Sequence, residues 1–380
     1  MHILLLEPYL TGSHRSWAEE YARFSAHTVH ILGLPGRFWK WRMHGGAITL
    51  ARQFLAHPFP VDVLVATDML DLTTFLALTR RHTAGIPCAL YFHENQLTYP
   101  WSPQDRDVAA RRDRHYGFIN FASALAADAL FFNSPYHMEA FFEALPPFLR
   151  HFPDFRELET VEQLQARAKV LPLGLDLRRL DAHRPPTGVS PSRPPRIVWN
   201  HRWEYDKNPS DFFEALYTLA ERQLDFEVVL LGENFRNAPE EFTQARVRLG
   251  ERIVQFGYEA SFAAYACHLW QADLLPVTSR HDFFGASVVQ AMYCGCYPLV
   301  PDRLAYPWLI PSALHSRHLY RTPAELVERL AHLLRHPPTP ADTAPLRAAV
   351  RRFDWETMAP RYDRAFEALA EGGATKKPTR

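Results

Sequence analysis

Short, almost wholly apolar runs recur along the first half of the chain: HILLLEP (2–8), TVHILGL (28–34), VDVLVAT (61–67), PCALYFH (87–93), DALFFNS (128–134) and KVLPLG (169–174). A strand with one wet face alternates polar and apolar residues, so runs this apolar must be covered on both faces. Helix-patterned stretches such as ITLARQFLAH and PYHMEAFFEAL separate them. Buried strands spaced by helices build βαβ units and hence a parallel sheet. RPPTGVSPSRPP (184–195) then sets five prolines in twelve residues, a composition that reads as a linker. Beyond it the alternation restarts with RIVWNHR (196–202), FEVVLLGEN (226–234), RIVQFGY (252–258), ADLLPVT (272–278) and CYPLVP (296–301). The expected architecture is α/β, with two Rossmann-like, doubly wound parallel-sheet domains at 1–183 and 196–352. In FDWETMAPRYDRAFEAL, residues Phe353, Trp355, Met358, Tyr362 and Phe366 fall at helical spacings, which predicts a closing amphipathic helix over 353–371 packed on a core.

Composition bounds the partners. Lys+Arg and Asp+Glu are both 42, so the formal net charge is zero and no whole-surface attraction to nucleic acid or anionic lipid is expected. A local basic face remains open. RFWKWRMH (37–44) is its candidate, with Arg37, Lys40 and Arg42 readable as contacts to RNA phosphates, as part of a membrane-facing amphipathic segment, or as a solvated turn with packed tryptophans. Four cysteines are too few for a disulfide framework and suit a reducing cytosol. The apolar N-terminal stretch is too short for a signal peptide, and no window of 18 uninterrupted apolar residues predicts a spanning helix. The expected location is cytoplasmic.

Ligands of open α/β domains bind where strands end and loops begin. EPYLTGSHR (7–15) follows the first strand, and Gly12 and Ser13 precede a helical stretch, either as an ordinary turn and cap or with N–H groups facing a ligand. It carries no GxGxxG, which counts against a dinucleotide site. YFHENQLTYPW (91–101) sets His93, Glu94, Asn95 and Gln96 in succession at the end of a buried strand. His93 is suited to proton exchange near neutral pH, with Glu94 to orient it, while Tyr99 and Trp101 offer flat faces for a sugar or base.

In the second half, NHRWEYDKNP places Arg202 and Lys207 in one loop, where a guanidinium fork and a point charge can converge on a diphosphate. HDFFGASVVQAMYCGCYP (281–298) follows. Gly285 permits close backbone approach, Ala286 and Ser287 open a helix whose first N–H groups face an anion, and Gln290 lies within reach of that start. Cys294 and Cys296 lack a second pair at zinc spacing and read as buried packing.

Taken together, Arg202…Lys207, LLGEN, FGYEASF and the ADLLPVTS…D-x-FG…QAM-x-x-G-x-YP order resemble the second domain of retaining glycosyltransferases of the two-Rossmann GT-B fold, and more narrowly glycosyltransferase family four. LPLGLDL (171–177) and the closing amphipathic stretch resemble that family's approach to the linker and its last helix, which crosses back to the first domain. ILLLEPYLTGSHRSWAEE, FWKWRMHGGAITLA, YFHENQLTYPW and HDFFGASVVQAMYCGCYP are similar, more closely, to the tRNA-queuosine α-mannosyltransferases and their bacterial relatives.

The resemblance implies a nucleotide-sugar donor, GDP-mannose, held in a cleft on the second domain, and tRNA as acceptor, met through a local basic face. It implies no metal and no further cofactor, because cationic side chains and helix ends do that work. Carried over by residue, Arg202 and Lys207 bind the donor diphosphate, and Asp282 takes the place of the family's first Glu of E-x7-E, towards the sugar hydroxyls. Gln290 takes the place of the second Glu, towards the ribose. His281, Gly232 and Glu233 of LLGEN, Tyr258 of FGYEASF, Phe284, Gly285, Ala286 and Ser287 complete the donor side. His93 corresponds to the active-site histidine; with Arg202, Lys207 and Asp282 it forms the catalytic set. Gly12, Ser13, His14, Glu94, Asn95, Gln96, Tyr99 and Trp101 are the acceptor side. The alternatives are a family-four transferase for a lipid or saccharide acceptor, and a non-catalytic nucleotide- or RNA-binding protein on the same fold.

Overall fold

A computed structural model describes residues 1–102, 105, 115–186, 193–232 and 239–374. The chain divides into two compact units. The first comprises Met1–Leu175 together with the chain from Trp355 on, and the second Asp176–Asp354.

The first unit is built on a sheet of β1 (His2–Leu10), β2 (Thr28–Pro35), β3 (Val63–Thr67), β4 (Cys88–Phe92), β5 (Ala129–Phe132) and β6 (Ala168–Val170), in the order β2-β1-β3-β4-β5-β6 and parallel throughout. Ile3 to Leu6 and Val63 to Ala66 have no exposed surface, as strands covered on both faces require. Phe92 stacks on Phe132 at 4.6 Å and packs on Phe141, in a core shared by the helices on one face. Strand order reverses between β1 and β3, which is where a doubly wound sheet opens a crevice at its carboxyl end.

The second unit repeats the plan with β7 (Arg196–Trp199), β8 (Glu227–Leu230), β9 (Ile253–Phe256), β10 (Leu274–Pro276), β11 (Tyr297–Pro301) and β12 (Leu319–Tyr320), ordered β12-β11-β10-β7-β8-β9 and again parallel. This is the nucleotide-binding strand order, with its reversal between β7 and β10. Trp199, Trp203 and Phe242 anchor its core, the last two stacked at 4.0 Å. Strand β12 was not expected from the sequence; two residues are too few to leave an apolar run.

The division falls at residue 175, not within the Pro-rich stretch, and residues 176–183 belong to the second unit. Asp181 accepts a hydrogen bond from the Tyr293 hydroxyl (2.7 Å) and pairs with Arg347, and the Leu180 carbonyl accepts from the Trp270 indole N–H. Residues 187–192 of the expected linker lie outside the described residues. Phe353, expected on the closing helix, instead packs against Phe284 and Trp308 of the second unit. The helix itself is Trp355–Ala374, and Trp355, Met358, Tyr362 and Phe366 are all buried in the first unit.

Candidate active site

Each unit carries a polar cluster at the carboxyl end of its sheet, beside its strand-order reversal. In the first unit the cluster starts from Glu7, near the end of β1, a carboxylate with no exposed surface. One of its oxygens accepts from the Tyr9 N–H (2.8 Å) and the other meets His14 Nδ1 at 3.0 Å. His14 is placed there because the chain turns at Thr11 and Gly12, the latter at φ +50, and begins the helix Gly12–Phe24. Burial works against a charge on His14. The Glu7 carboxylate and its hydrogen bond, then Asp68 and Glu94, outweigh it and raise the pKa to about 9.

His93 closes the cluster from β4, its ring centroid 4.3 Å from that of His14 and 4.5 Å from that of Trp17. Its backbone N–H donates to Asp68 (2.8 Å) and its carbonyl accepts from Asn133 (2.9 Å). Burial, helped by the neighbouring His14 and His137, pushes its pKa well below the ordinary histidine value. His93 is therefore a neutral imidazole at neutral pH, not the proton exchanger the sequence suggested. Its buried Nε2 has no hydrogen-bond partner among the described residues. Glu94 accepts from the Gln96 amide at 2.8 Å.

Asn95 caps its own loop, accepting from the N–H groups of Leu97 and Thr98, and the Gln96 N–H donates to Asn120; both residues are buried scaffolding. The Tyr99 N–H donates to the Asn95 carbonyl, and Trp101 lies beneath the Lys40 ammonium at 5.1 Å. Ser13 is exposed beside Gly12 at the helix start. Glu7, His14 and His93 hold their donor atoms within 4.8 Å of one another. With its pKa raised to about 9, His14 forms an ion pair with Glu7 beside the neutral ring of His93.

In the second unit Lys207 is the centre, its side chain only 10 % exposed. Its ammonium donates to the His281 carbonyl (2.8 Å) and pairs with Asp206 (3.2 Å) and Asp282 (3.5 Å). Burial opposes the charge, but Asp282 and Asp206 outweigh it and hold the pKa above the ordinary lysine value. Asp282 is correspondingly held low: burial would raise it, and Lys207 followed by His201 overcomes that. Its two oxygens also accept from the Tyr306 hydroxyl (3.1 Å) and the Phe284 N–H (3.3 Å). Lys207 and Asp282, assigned separate roles by resemblance, thus form one buried network in this structure.

Arg202 is different. Its side chain is 46 % exposed and lies against Glu204 in the same loop, with a contact at 3.1 Å. Gly232, at φ +106, is required by close approach: a β-carbon there would lie 1.9 Å from the His201 carbonyl oxygen. Glu233 lies outside the described residues.

Gly285, at φ +91, ends the loop before the helix Ala286–Tyr293, whose start has no side-chain cap. Its first-turn N–H groups lack intrahelical acceptors. His201 joins that helix to the end of β7 through a 2.8 Å contact with the Ser287 hydroxyl, and Asn200 donates to the Ser287 carbonyl. Burial pushes both His201 and His281 down to about 4, with Lys207 adding to the effect, so both are neutral rings around a single ammonium. Gln290 accepts from the Tyr265 hydroxyl at 2.8 Å, which leaves its amide N–H groups for a ligand. Phe284 turns its ring into the core, so only its backbone is available, and Tyr258 stands 64 % exposed.

Sequence reasoning missed Glu7, Asp68, His201, Asp206, Tyr265 and Tyr306. The first three carry a signal that could have found them, since each is a polar residue at or just after an apolar strand; Asp206, further along the loop that carries Lys207, and the two tyrosines carry none. Cys294 and Cys296 are both buried, the latter with its thiol against the Leu269 carbonyl, as the packing reading of this pair expected; all four cysteines are free.

Two doubly wound parallel sheets, the second with a buried ammonium beside an uncapped helix start, define a glycosyltransferase of the GT-B class. Residues 2–175 match the family described as tRNA-queuosine alpha-mannosyltransferase N-terminal, and residues 185–345 match glycosyl transferases group 1. Over 342 residues the chain is 34 % identical to a tRNA-queuosine alpha-mannosyltransferase of Drosophila melanogaster, covering 88 % of each chain. It belongs to the tRNA-queuosine α-mannosyltransferase family. A GDP-mannose:cellobiosyl-diphosphopolyprenol alpha-mannosyltransferase of Xanthomonas oryzae is 23 % identical over 362 residues, covering 93 % of this chain and 86 % of the relative. Among solved structures, sucrose-phosphate synthase from Thermosynechococcus elongatus superposes with a TM-score of 0.68 at 14 % identity, covering 98 % of this chain and 99 % of that one. No helix among the described residues is long and apolar enough to cross a membrane.

Proposed function

We propose that this protein transfers mannose from GDP-mannose to queuosine in tRNA, in the cytoplasm and with retention of the anomeric configuration. The observation that carries the reading is the 34 % identity to the Drosophila enzyme over 88 % of both chains. The second unit supplies chemistry that suits it. As the bond from the sugar's anomeric carbon to the diphosphate breaks, its electron pair leaves with GDP. Lys207, Arg202 and the N–H groups after Gly285 are donors fit to meet that growing charge, already oriented and partly out of water. The acceptor hydroxyl attacks the face the diphosphate leaves, and a departing phosphate oxygen takes its proton.

The residues of the first unit fit a supporting role. His93 offers its unpartnered Nε2 to a sugar hydroxyl, and its depressed pKa keeps it neutral there. The His14 imidazolium, held by Glu7, adds a fixed positive charge at the start of the helix Gly12–Phe24. Charge neutralisation by these side chains asks for no metal and no further cofactor.

The test is incubation with GDP-mannose and queuosine-containing tRNA, followed by mass spectrometry of the nucleosides. Queuosine carrying one added hexose is the expected product. Consumption of GDP-mannose only with a polyprenyl-diphosphate saccharide would replace the acceptor and keep the donor.

A further inference from the structure

From Tyr21 to Val61 the chain contains five Lys or Arg residues and not one Asp or Glu, although the two signs balance at 42 each over the whole molecule. The loop after β2 and the helix Trp39–Ala56 present this stretch. Arg37 is exposed, Phe38 is 78 % exposed and Trp41 62 % exposed. Phe38 adopts φ +54, a conformation unfavourable for a residue with a β-carbon, and so turns its ring away from the neighbouring core.

The Trp41 indole lies flat along its own helix because residue 45 is glycine; a β-carbon there would come within 2.7 Å of the ring. The ring is 62 % exposed to solvent. Arg42 bonds the Pro35 carbonyl at 3.1 Å and stiffens the turn. Lys40 is not part of this surface, since it pairs with Asp105 at 2.6 Å. The loop also abuts the first-unit cluster: a β-carbon at Gly36 would lie 2.0 Å from the Thr11 side chain, at the turn that leads to His14.

We infer that Arg37, Phe38, Trp41 and Arg42 form a docking surface for unpaired RNA bases, the two rings stacking on bases and the two guanidinium groups meeting phosphates. The inference rests on the proposed tRNA acceptor and names where it is held. Open ring faces alternating with cations, with no acid between them, complement a strand whose bases are flat and whose linkages are anionic.

The test measures binding of queuosine-containing tRNA to the whole protein and to Phe38→Ala, Trp41→Ala and Arg37→Glu, alongside binding of GDP and of phosphatidylserine vesicles. Each aromatic variant is expected to weaken tRNA binding about tenfold. Arg37→Glu is expected to reduce the salt dependence by about one phosphate contact. GDP affinity should not change in any of them. Wild-type tRNA affinity and salt slope in all three variants would overturn this surface and leave the acceptor intact. So would a loss of vesicle binding with tRNA binding kept. A wild-type protein that binds GDP but no tRNA would remove the acceptor reading itself, and this surface with it.

Discussion

Lys207 and Arg202 share a loop and one inferred task, but their surroundings separate what their loss would do. Lys207 neutralises two buried carboxylates, Asp206 and Asp282, so Lys207→Ala leaves both charges without their partner. Breaking a buried pair in this way costs about 3–5 kcal/mol of stability. Arg202 is half exposed and pairs with Glu204 of its own loop, an arrangement worth about 0–1 kcal/mol. Each substitution is expected to remove about 2–4 kcal/mol of transition-state stabilisation. Denaturant melts read beside kcat/KM should therefore show Arg202→Ala inactive but stable, and Lys207→Ala deficient in both; a Lys207→Ala protein of wild-type stability would refute the network.

His14 gives a pH signature. Its folded pKa is raised above the ordinary 6.5 to about 9, so the stability it contributes is complete below about 6.5 and is lost as pH rises through about 9. Activity should share that alkaline limb, since the imidazolium disappears over the same range. Glu7→Gln removes the carboxylate that holds the proton, and burial then acts with little opposition. The limb should move to lower pH by more than one unit in a pH–rate profile, and an unmoved limb would assign it to another group. The types of residue involved were legible from the sequence at His93, Lys207 and Asp282. Their protonation states were not, because those depend on burial and on partners from distant parts of the chain: His14 and His137 beside His93, and the pairing of Lys207 with Asp282.

At the scale of elements, the strands were readable because burial on both faces writes itself as an apolar run, and a two-residue strand such as β12 cannot leave that mark. Loop–loop packing left none either. Gly232 drew notice only as part of LLGEN, whereas the structure gives it a physical duty. The loops after β7 and β8 touch through it, and its α-carbon hydrogen faces the His201 carbonyl. Gly232→Ala must both hold φ +106 and push back a carbonyl 1.9 Å away. The expected cost is about 2–4 kcal/mol. Because His201 also contacts Ser287 at the start of the helix Ala286–Tyr293, the variant should lose GDP affinity as well as stability. Calorimetric titration with GDP checks this; unchanged affinity in a destabilised protein would separate the loop contact from the nucleotide site.

For the molecule as a whole, chain order and domain order differ. The periodicity of the closing helix announced an apolar face, but it could not say which core would receive it, since nothing local distinguishes the two. The receiving surface is the helix Gly12–Phe24, Tyr91 of β4, Phe131 of β5 and the chain that follows β6. The Trp355 indole N–H donates to Glu20 (2.7 Å), and its ring occupies the space beside Gly174, where a β-carbon would lie 2.4 Å from it. Tyr362 accepts from the Trp17 indole N–H and lies 2.8 Å from the Tyr91 hydroxyl. Asp363, 7 % exposed, is the fastening: it accepts from the Tyr21 hydroxyl (2.9 Å), the Ser25 hydroxyl (2.6 Å) and the Ala26 N–H (2.9 Å). Asp363→Ala leaves three donors on the first helix and its end without their acceptor. At about 1–3 kcal/mol for each buried unsatisfied group, partly relieved where water can reach Ser25 and Ala26, the expected loss is about 3 kcal/mol. Asp363→Asn retains one acceptor oxygen and should lose roughly half as much. Because the damage falls in the first unit, amide exchange should quicken in β1 and the helix Gly12–Phe24 while β7 and β10 keep wild-type protection. Equal loosening of all four segments would mean that the closing helix supports the molecule by a route other than this carboxylate.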